Sequence, residues 1–394
     1  MQRNIAYNII YKTISDGSYS NLLMRKELEK LPNIQRAFVT NLVNSVLKNY
    51  DFLLYQHEHL YKTTGLRNKI ILSMATYEKL FLHEKDYVVN NEYVNLAKSE
   101  FDKKFINAII YKIEELRKPD DKYIKYSIPK WLYDLLDKQY SEEELDTILN
   151  NYHRIPLVYY RLNHHKATYD DLAHLNITII NEDIFTSDKS LLNAKEFSDG
   201  LFYVQDINAN SLVKEFSLNE NDLFLDACSA PGSKLFNALD YVKTDNAYAN
   251  DVNESRVKLI ENKATVLGFS GVHYMCYDAS TLSKNIDVAF DKILIDAPCS
   301  GLGVIGRRSD IKFHIKPESL DELQILQKDI LNDVSKLLKQ GGELLYSTCT
   351  LNRKENDKQI QFFLKEHNDF VLIKDRTIIN LCGDMFYFAL LKRI

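Results

Sequence analysis

The chain has 394 residues, 45% of them hydrophobic and 27% charged, the balance of a globular protein of two or three domains and not of a disordered or collagen-like one. No apolar run approaches the ~20 residues that span a bilayer, and the N-terminus carries Arg3, Asn4 and Asn8 among its apolar residues, so neither a membrane protein nor a secretory leader is expected. Five cysteines with no C-x-x-C or clustered Cys/His spacing point to a reducing, cytoplasmic compartment without a metal site, and a net charge of −5 argues against bulk electrostatic binding of nucleic acid but leaves room for a local basic face.

The first 120 residues read as helical. Val39, Val43, Val46, Leu47 and Tyr50 recur at helical spacing, and so do Ile106, Ile109, Ile110 and Ile113. This part holds 18 basic and 14 acidic residues, against 32 and 41 in the remainder. The small basic excess therefore sits where an RNA-docking module would carry it. Lys118, Pro119, Asp120 and Asp121 punctuate the chain and mark a boundary. From 121 to 205 the pattern is mixed, with a helix expected over 131–136 and strands over 157–162 and 177–180. From 206 onward short apolar or β-branched runs at 222–226, 247–251, 272–277, 292–296 and 343–347 alternate with helical stretches such as 255–267 and 319–338. That alternation predicts a mostly parallel sheet with helices on both faces. The expected organisation is a helical domain over 1–120, a small connecting α/β subdomain over 121–205 and an α/β domain over 206–394.

Open α/β sheets bind ligands at the carboxyl ends of their strands, and polar residues gather at those ends here. The first strand runs into Asp226, Ala227, Cys228, Ser229, Ala230, Pro231, Gly232, Ser233 and Lys234. Gly232 lets a ligand approach the backbone, but the segment is neither a P-loop nor G-x-G-x-x-G. Asp251 ends the second strand, as a ribose acceptor or a helix N-cap. Asp278 closes the third, facing an adenine amino group or capping a helix. The fourth strand ends at Asp296, Ala297, Pro298, Cys299, Ser300 and Gly301, and the fifth at Ser347, Thr348, Cys349 and Thr350. A lone cysteine is usually a small buried hydrophobe. Two at the tips of two core strands suggest thiolate nucleophile chemistry.

Together these segments resemble the RNA cytosine-5 methyltransferases of the RsmB type, within the wider Sun/NOL/NOP2 family. The stretch from Asp226 to Lys234 is similar to that family's first, cofactor-binding motif, Asp296 to Gly301 to its fourth, and Ser347 to Thr350 to its sixth. The stretch from Gly303 to Phe313 resembles the basic loop after the fourth motif. Tyr160 to Asn163 and Val204 to Asp206 match the segments leading into the core. Upstream, Gln35 to Val39, Asn91 to Lys98 and Lys104 to Ala108 resemble a NusB-type helical RNA-binding domain. Ser229 and Ser233 depart from the family's Ala and Gly, Ser309 from its Pro, Phe313 from its Trp and Met385 from its Gly.

The resemblance implies an all-α NusB-like domain joined to a Rossmann-like methyltransferase core that uses S-adenosyl-L-methionine (AdoMet). Cys349 would be the nucleophile at carbon 6 of cytosine, Cys299 would assist proton removal and release, and Asp296 would steady the charged adduct. Cys228, Ser229, Ala230, Pro231, Gly232, Ser233, Lys234, Asp251, Asp278 and Asp296 would hold the cofactor. Lys234 would help hold the loop or the substrate, or simply be solvated. Arg307, Arg308 and Lys312 would contact RNA phosphates, or form a solvated basic loop. The implied partner is RNA, 16S rRNA or a small-subunit assembly intermediate. The alternatives are the same chemistry on tRNA or another rRNA site, and an inactive NusB-like assembly factor.

Overall fold

The computed structural model describes every residue except Lys30. The chain divides into two compact units, Met1–His153 with Arg308–Lys316, and Arg154–Arg307 with Pro317–Ile394.

The described residues of the first unit are helices and turns. Helix Asn33–Lys48 buries Val39, Leu42, Val43, Val46 and Leu47, one stripe at the 3.6-residue period. Helix Glu100–Lys112 starts at Ser99, whose side chain caps the Asp102 amide, and buries Ile106, Ile109 and Ile110. The buried Glu78 carboxylate is met by Arg3 at 2.6 Å and by the Tyr93 hydroxyl at 2.6 Å, the pairing a buried charge requires.

The unit does not end at the Lys118–Pro119 break. Gln56 holds both sides of the Arg117 peptide, donating to its carbonyl at 3.0 Å and accepting from its amide at 2.7 Å. Ser127 Oγ accepts from the Asp51 amide at 2.8 Å. These bonds stitch the chain back onto helix Tyr50–His57, and helices Lys130–Asp137 and Glu142–His153 follow within the same unit. Residues 308–316 return to it from far along the chain. Phe313 meets Tyr50 edge-on at 5.8 Å, and Asp310 accepts the Ser20 amide at 3.1 Å.

The second unit carries two sheets. Strands β1 (Tyr159–Leu162), β2 (Thr178–Ile179), β3 (Ile184–Thr186) and β4 (Phe202–Val204) pair antiparallel in the order β2-β3-β1-β4. There Tyr160 stacks on Phe185, and Phe202 meets both rings edge-on. Arg161, also on β1, is fully buried and pairs with Asp183 and Asp240.

The larger sheet contains β5 (Phe224–Asp226), β6 (Ala247–Asn250), β7 (His273–Met275), β8 (Phe290–Asp296), β9 (Leu338–Thr348), β10 (Phe370–Ile378) and β11 (Phe386–Arg393). Its order is β10-β11-β9-β8-β5-β6-β7. The five strands from β5 to β9 are parallel, as the alternation predicts. β10 and β11 add an antiparallel edge that it does not predict. From β5 the chain builds outward through β6 and β7, then crosses back to lay β8 on the other side of β5. The order thus reverses at the carboxyl ends of β5 and β8, the crevice where an open α/β sheet receives its ligand.

Candidate active site

Beyond β5 the chain makes a tight loop. The Ser229 amide reaches the Asn250 carbonyl at 2.7 Å, and the Gly232 amide closes on the Ser229 carbonyl at 2.6 Å. Gly232 sits at φ +92°, and a Cβ there would meet the Phe236 ring at 2.8 Å, so both conformation and packing require glycine. Asp226 is buried, and its Oδ1 and the Ser229 hydroxyl lie buried without hydrogen-bond partners. Burial, then the charge of Asp296, pushes the Asp226 carboxyl up to about 7 against the opposing pull of Lys234.

Asn250 holds the neighbouring strand ends together. Its amide donates to the Ala227 and Tyr277 carbonyls, each at 3.0 Å, and its oxygen accepts the Tyr277 amide at 3.0 Å. Asp251, next to it, is buried and accepts the Asn253 amide at 2.9 Å. Asn253, not Asp251, caps helix Glu254–Leu267. Asp278 is exposed and caps the turn at Ala279–Lys284 through the Ser280 amide.

Register places Asp296 on β8 opposite Ser347 on β9. Asp296 accepts the Ser347 hydroxyl at 3.0 Å on one oxygen and the Lys234 ammonium at 2.5 Å on the other. Lys234 also lies 5.0 Å from the centre of the Phe386 ring. Three residues beyond Asp296 and one beyond Thr348, the partly buried Cys299 and Cys349 bring their sulfurs to 3.3 Å. That is a thiol contact, since a disulfide needs about 2.05 Å. The hydrogen bond with Cys349, then burial, then the Cys349 charge, push the Cys299 thiol well up. Gly303 follows the same loop. A Cβ on it would lie 2.0 Å from the Met385 carbonyl and 2.9 Å from that of Cys349, so the backbone passes close against the sixth-motif loop.

The basic loop divides. Arg307, with 54% of its side chain exposed, pairs with buried Asp384. The Asp384 amide in turn donates to Asp206 at 2.9 Å. Burial and the Asp384 charge push Asp206 up to about 6. Arg308 pairs with Asp310 at 3.4 Å and lies over Tyr19 at 5.9 Å. Lys312 departs from the sequence expectation. Its side chain is 1% exposed, and its ammonium donates to the Lys48 carbonyl at 3.0 Å and to the Ser127 carbonyl and hydroxyl. Burial pushes it down to about 8. It is a structural cation of the helical unit and not a phosphate contact. Sequence reasoning also missed Asn250 and Glu355. Asn250 ends a strand, where it reads as a closing polar residue, and Glu355 stands in Asn352, Arg353, Lys354, Glu355, Asn356, which reads as a solvated loop. Among the described residues no group of three His, Cys, Asp or Glu is arranged for a metal.

A switch-point crevice with acidic strand ends, on a sheet of this order, defines a Rossmann-like methyltransferase core. Comparisons with known proteins agree. The family model described as 16S rRNA methyltransferase RsmB/F matches residues 213–381, and the NusB family model matches residues 1–115. A probable ribosomal RNA small subunit methyltransferase B of Bacillus subtilis is 30% identical, over 93% of this chain and 89% of its own. The ribosomal RNA small subunit methyltransferase B of an Enterobacter species is 29% identical over 98% and 97%. Among solved structures, PH0851 shares the fold with a TM-score of 0.80 at 19% identity, over 99% of both chains. NSun6 from Pyrococcus horikoshii with SFG aligns at 0.61 and 19% identity, over 67% of this chain and 98% of its own. The chain belongs to the RsmB/F family of 16S rRNA methyltransferases and carries that family's methyl-transfer core behind a NusB-family helical domain. It is an RNA methyltransferase of an AdoMet-dependent family. Among the described residues no helix is long and apolar enough to cross a membrane.

Proposed function

We propose that this protein transfers a methyl group from AdoMet to carbon 5 of a cytosine in 16S rRNA, through a bond between Cys349 Sγ and carbon 6 of the base. The observation that carries the reading is the Cys299–Cys349 pair, 3.3 Å apart at adjacent strand ends beside the switch point. Carbon 5 of cytosine is a weak nucleophile. A thiolate added at carbon 6 makes it enamine-like, which is why the reaction needs a covalent partner.

AdoMet, when bound, supplies the methyl group. The residues present suit it. Asp226 Oδ1 and the Ser229 hydroxyl are buried with bonding capacity to spare for an ammonium or hydroxyl. Asp251 is left free of helix capping by Asn253 and takes the ribose hydroxyls. The loop from Cys228 through Ala230, Pro231 and Ser233 to Lys234 lines the remainder, with Asp278 on the adenine side.

The chain's own groups then act in sequence. Cys349 adds to carbon 6. The proton that the Cys349 thiol gives up ends on ring nitrogen 3 of the base, and Asp296, ordered by Lys234 and Ser347, accepts the hydrogen bond from that N–H. At rest Cys299 is held protonated by its neighbour sulfur. Once Cys349 is bonded to carbon it no longer holds the Cys299 proton through the sulfur–sulfur hydrogen bond, so Cys299 gives that proton to solvent more readily and takes the proton from carbon 5 as the Cys349–carbon bond breaks. The base must leave its stack to reach these sulfurs, so a single-stranded or loop cytosine of a cytoplasmic small-subunit precursor is the substrate. Arg307, and less so Arg308, present guanidinium donors to its phosphates.

The test is bisulfite sequencing of rRNA and tRNA from cells lacking the gene, complemented with wild type or Cys349→Ala. One 16S cytosine should lose protection, restored by wild type alone. Unchanged protection throughout would refute the reading.

A further inference from the structure

Glu355 is fully buried, yet its carboxylate accepts hydrogen bonds from four neutral donors. The Ser300 amide reaches one oxygen at 2.9 Å and the Ser300 hydroxyl the other at 2.6 Å. Gln327 Nε2 donates at 3.0 Å and Asn352 Nδ2 at 3.1 Å. An unfilled carboxylate in that position would be costly, and the donors that fill it come from around both cysteine loops. Ser300 directly follows Cys299. Its hydroxyl also lies 2.6 Å from that of Thr350, which directly follows Cys349. The adjacent Asn356 completes the tie, donating to the Thr350 carbonyl at 3.0 Å and accepting the Thr348 hydroxyl at 2.6 Å. Behind them the Tyr346 hydroxyl donates to the Glu355 carbonyl at 2.9 Å. Gln327 also donates to the Pro298 carbonyl at 2.9 Å, so the fourth-motif loop is gripped on both sides of Cys299.

We propose that Glu355 is a positioning residue that clamps the loops after β8 and β9, setting Cys299 against Cys349 for the proton-transfer and release half of the reaction. This rests on the two-cysteine reading above. Glu355 touches neither substrate nor reacting atoms. It acts through Ser300 and through its charge, which adds to the influences that keep Cys299 protonated.

Glu355→Gln keeps the side chain's shape and one carbonyl acceptor but removes the charge. The assay follows methyl transfer to a 16S rRNA fragment as a function of pH, together with the fraction of enzyme covalently held on RNA after denaturation. The Gln variant should fold and bind AdoMet as wild type does. Its Cys299-dependent pH limb should move to lower pH, because an anion near that thiol is gone. Covalent complex should still accumulate, because the Gln –NH2 faces donors whose hydrogen bonds the carboxylate accepted and loosens the Ser300 tie, so release is slowed while attack by Cys349 is spared. Ser300→Ala should change the complex in the same direction by less. Glu355→Ala, which frees both loops, should lower turnover about a hundredfold, the scale of an ångström-level misplacement. A Gln variant with wild-type rate, pH limb and complex level would overturn the proposal. So would a rate loss that merely tracks thermal stability at an unmoved pH limb. If wild type itself leaves neither a Cys349 adduct nor 5-methylcytosine, the two-cysteine reading fails, and the role of Glu355 falls with it.

Discussion

Replacing Asp226 by Asn should remove a pH dependence that this one buried carboxyl imposes on the sheet. The folded protein holds the Asp226 proton up to about 7 against 3.8 as the ordinary value, so between those values the native state binds a proton that the unfolded chain has lost. The stabilisation is fully present below about pH 4 and disappears as pH rises through about 7. The difference amounts to about 4 kcal/mol. The group is buried, so solvent screening takes little from that figure. Asn resembles the protonated form at every pH. The variant should therefore match wild type near pH 4 and exceed it above pH 7 by up to about 4 kcal/mol. Urea unfolding of both proteins across this range gives the comparison. Far-UV circular dichroism is the readout, because the single tryptophan, Trp131, lies in the helical unit. Parallel curves for the two proteins would refute the assigned protonation of Asp226.

Gly232→Ala forces a side chain into the Phe236 ring at an unfavourable φ. It should cost about 1–3 kcal/mol and weaken AdoMet binding in calorimetry, and wild-type affinity would count against the loop as a cofactor cradle. Lys312→Ala leaves the Ser127 and Lys48 carbonyls without their buried donor. Thermal stability should fall by about 1–3 kcal/mol, while the salt dependence of RNA affinity stays unchanged. Weaker RNA binding at full stability would restore Lys312 as a phosphate contact. Asn250→Ala unties Ala227 from Tyr277 and should weaken AdoMet binding more than RNA binding. An equal loss of both would argue against a role confined to the cofactor side.

The parallel strands were legible because each reads as a short apolar or β-branched run closed by a polar residue, and β5, β6 and β8 are buried almost throughout. The polar residues that close them were legible for the same reason, and Asp226, Asp296, Cys299 and Cys349 stand at or just beyond the strand ends where the sequence puts them. β10 escaped because most of it lies exposed at a sheet edge, where no alternation marks it. The unit boundary escaped because 308–316 joins the helical unit through contacts as far as 290 residues apart in sequence, and no local pattern reports a contact of that range. Lys312 was misread and Glu355 passed over for a shared reason. Charged residues in polar loops are usually solvated, and only tertiary partners show these two to be buried and filled with hydrogen bonds.

The central claim is tested most directly with RNA in which the target cytosine carries fluorine at carbon 5, so that no proton can be removed after methyl transfer. Purified enzyme, this RNA and AdoMet are resolved on a denaturing gel. The account predicts a covalent protein–RNA band with wild type and with Cys299→Ala, and none with Cys349→Ala. A band that survives in Cys349→Ala, or that depends on Cys299 instead, would contradict it.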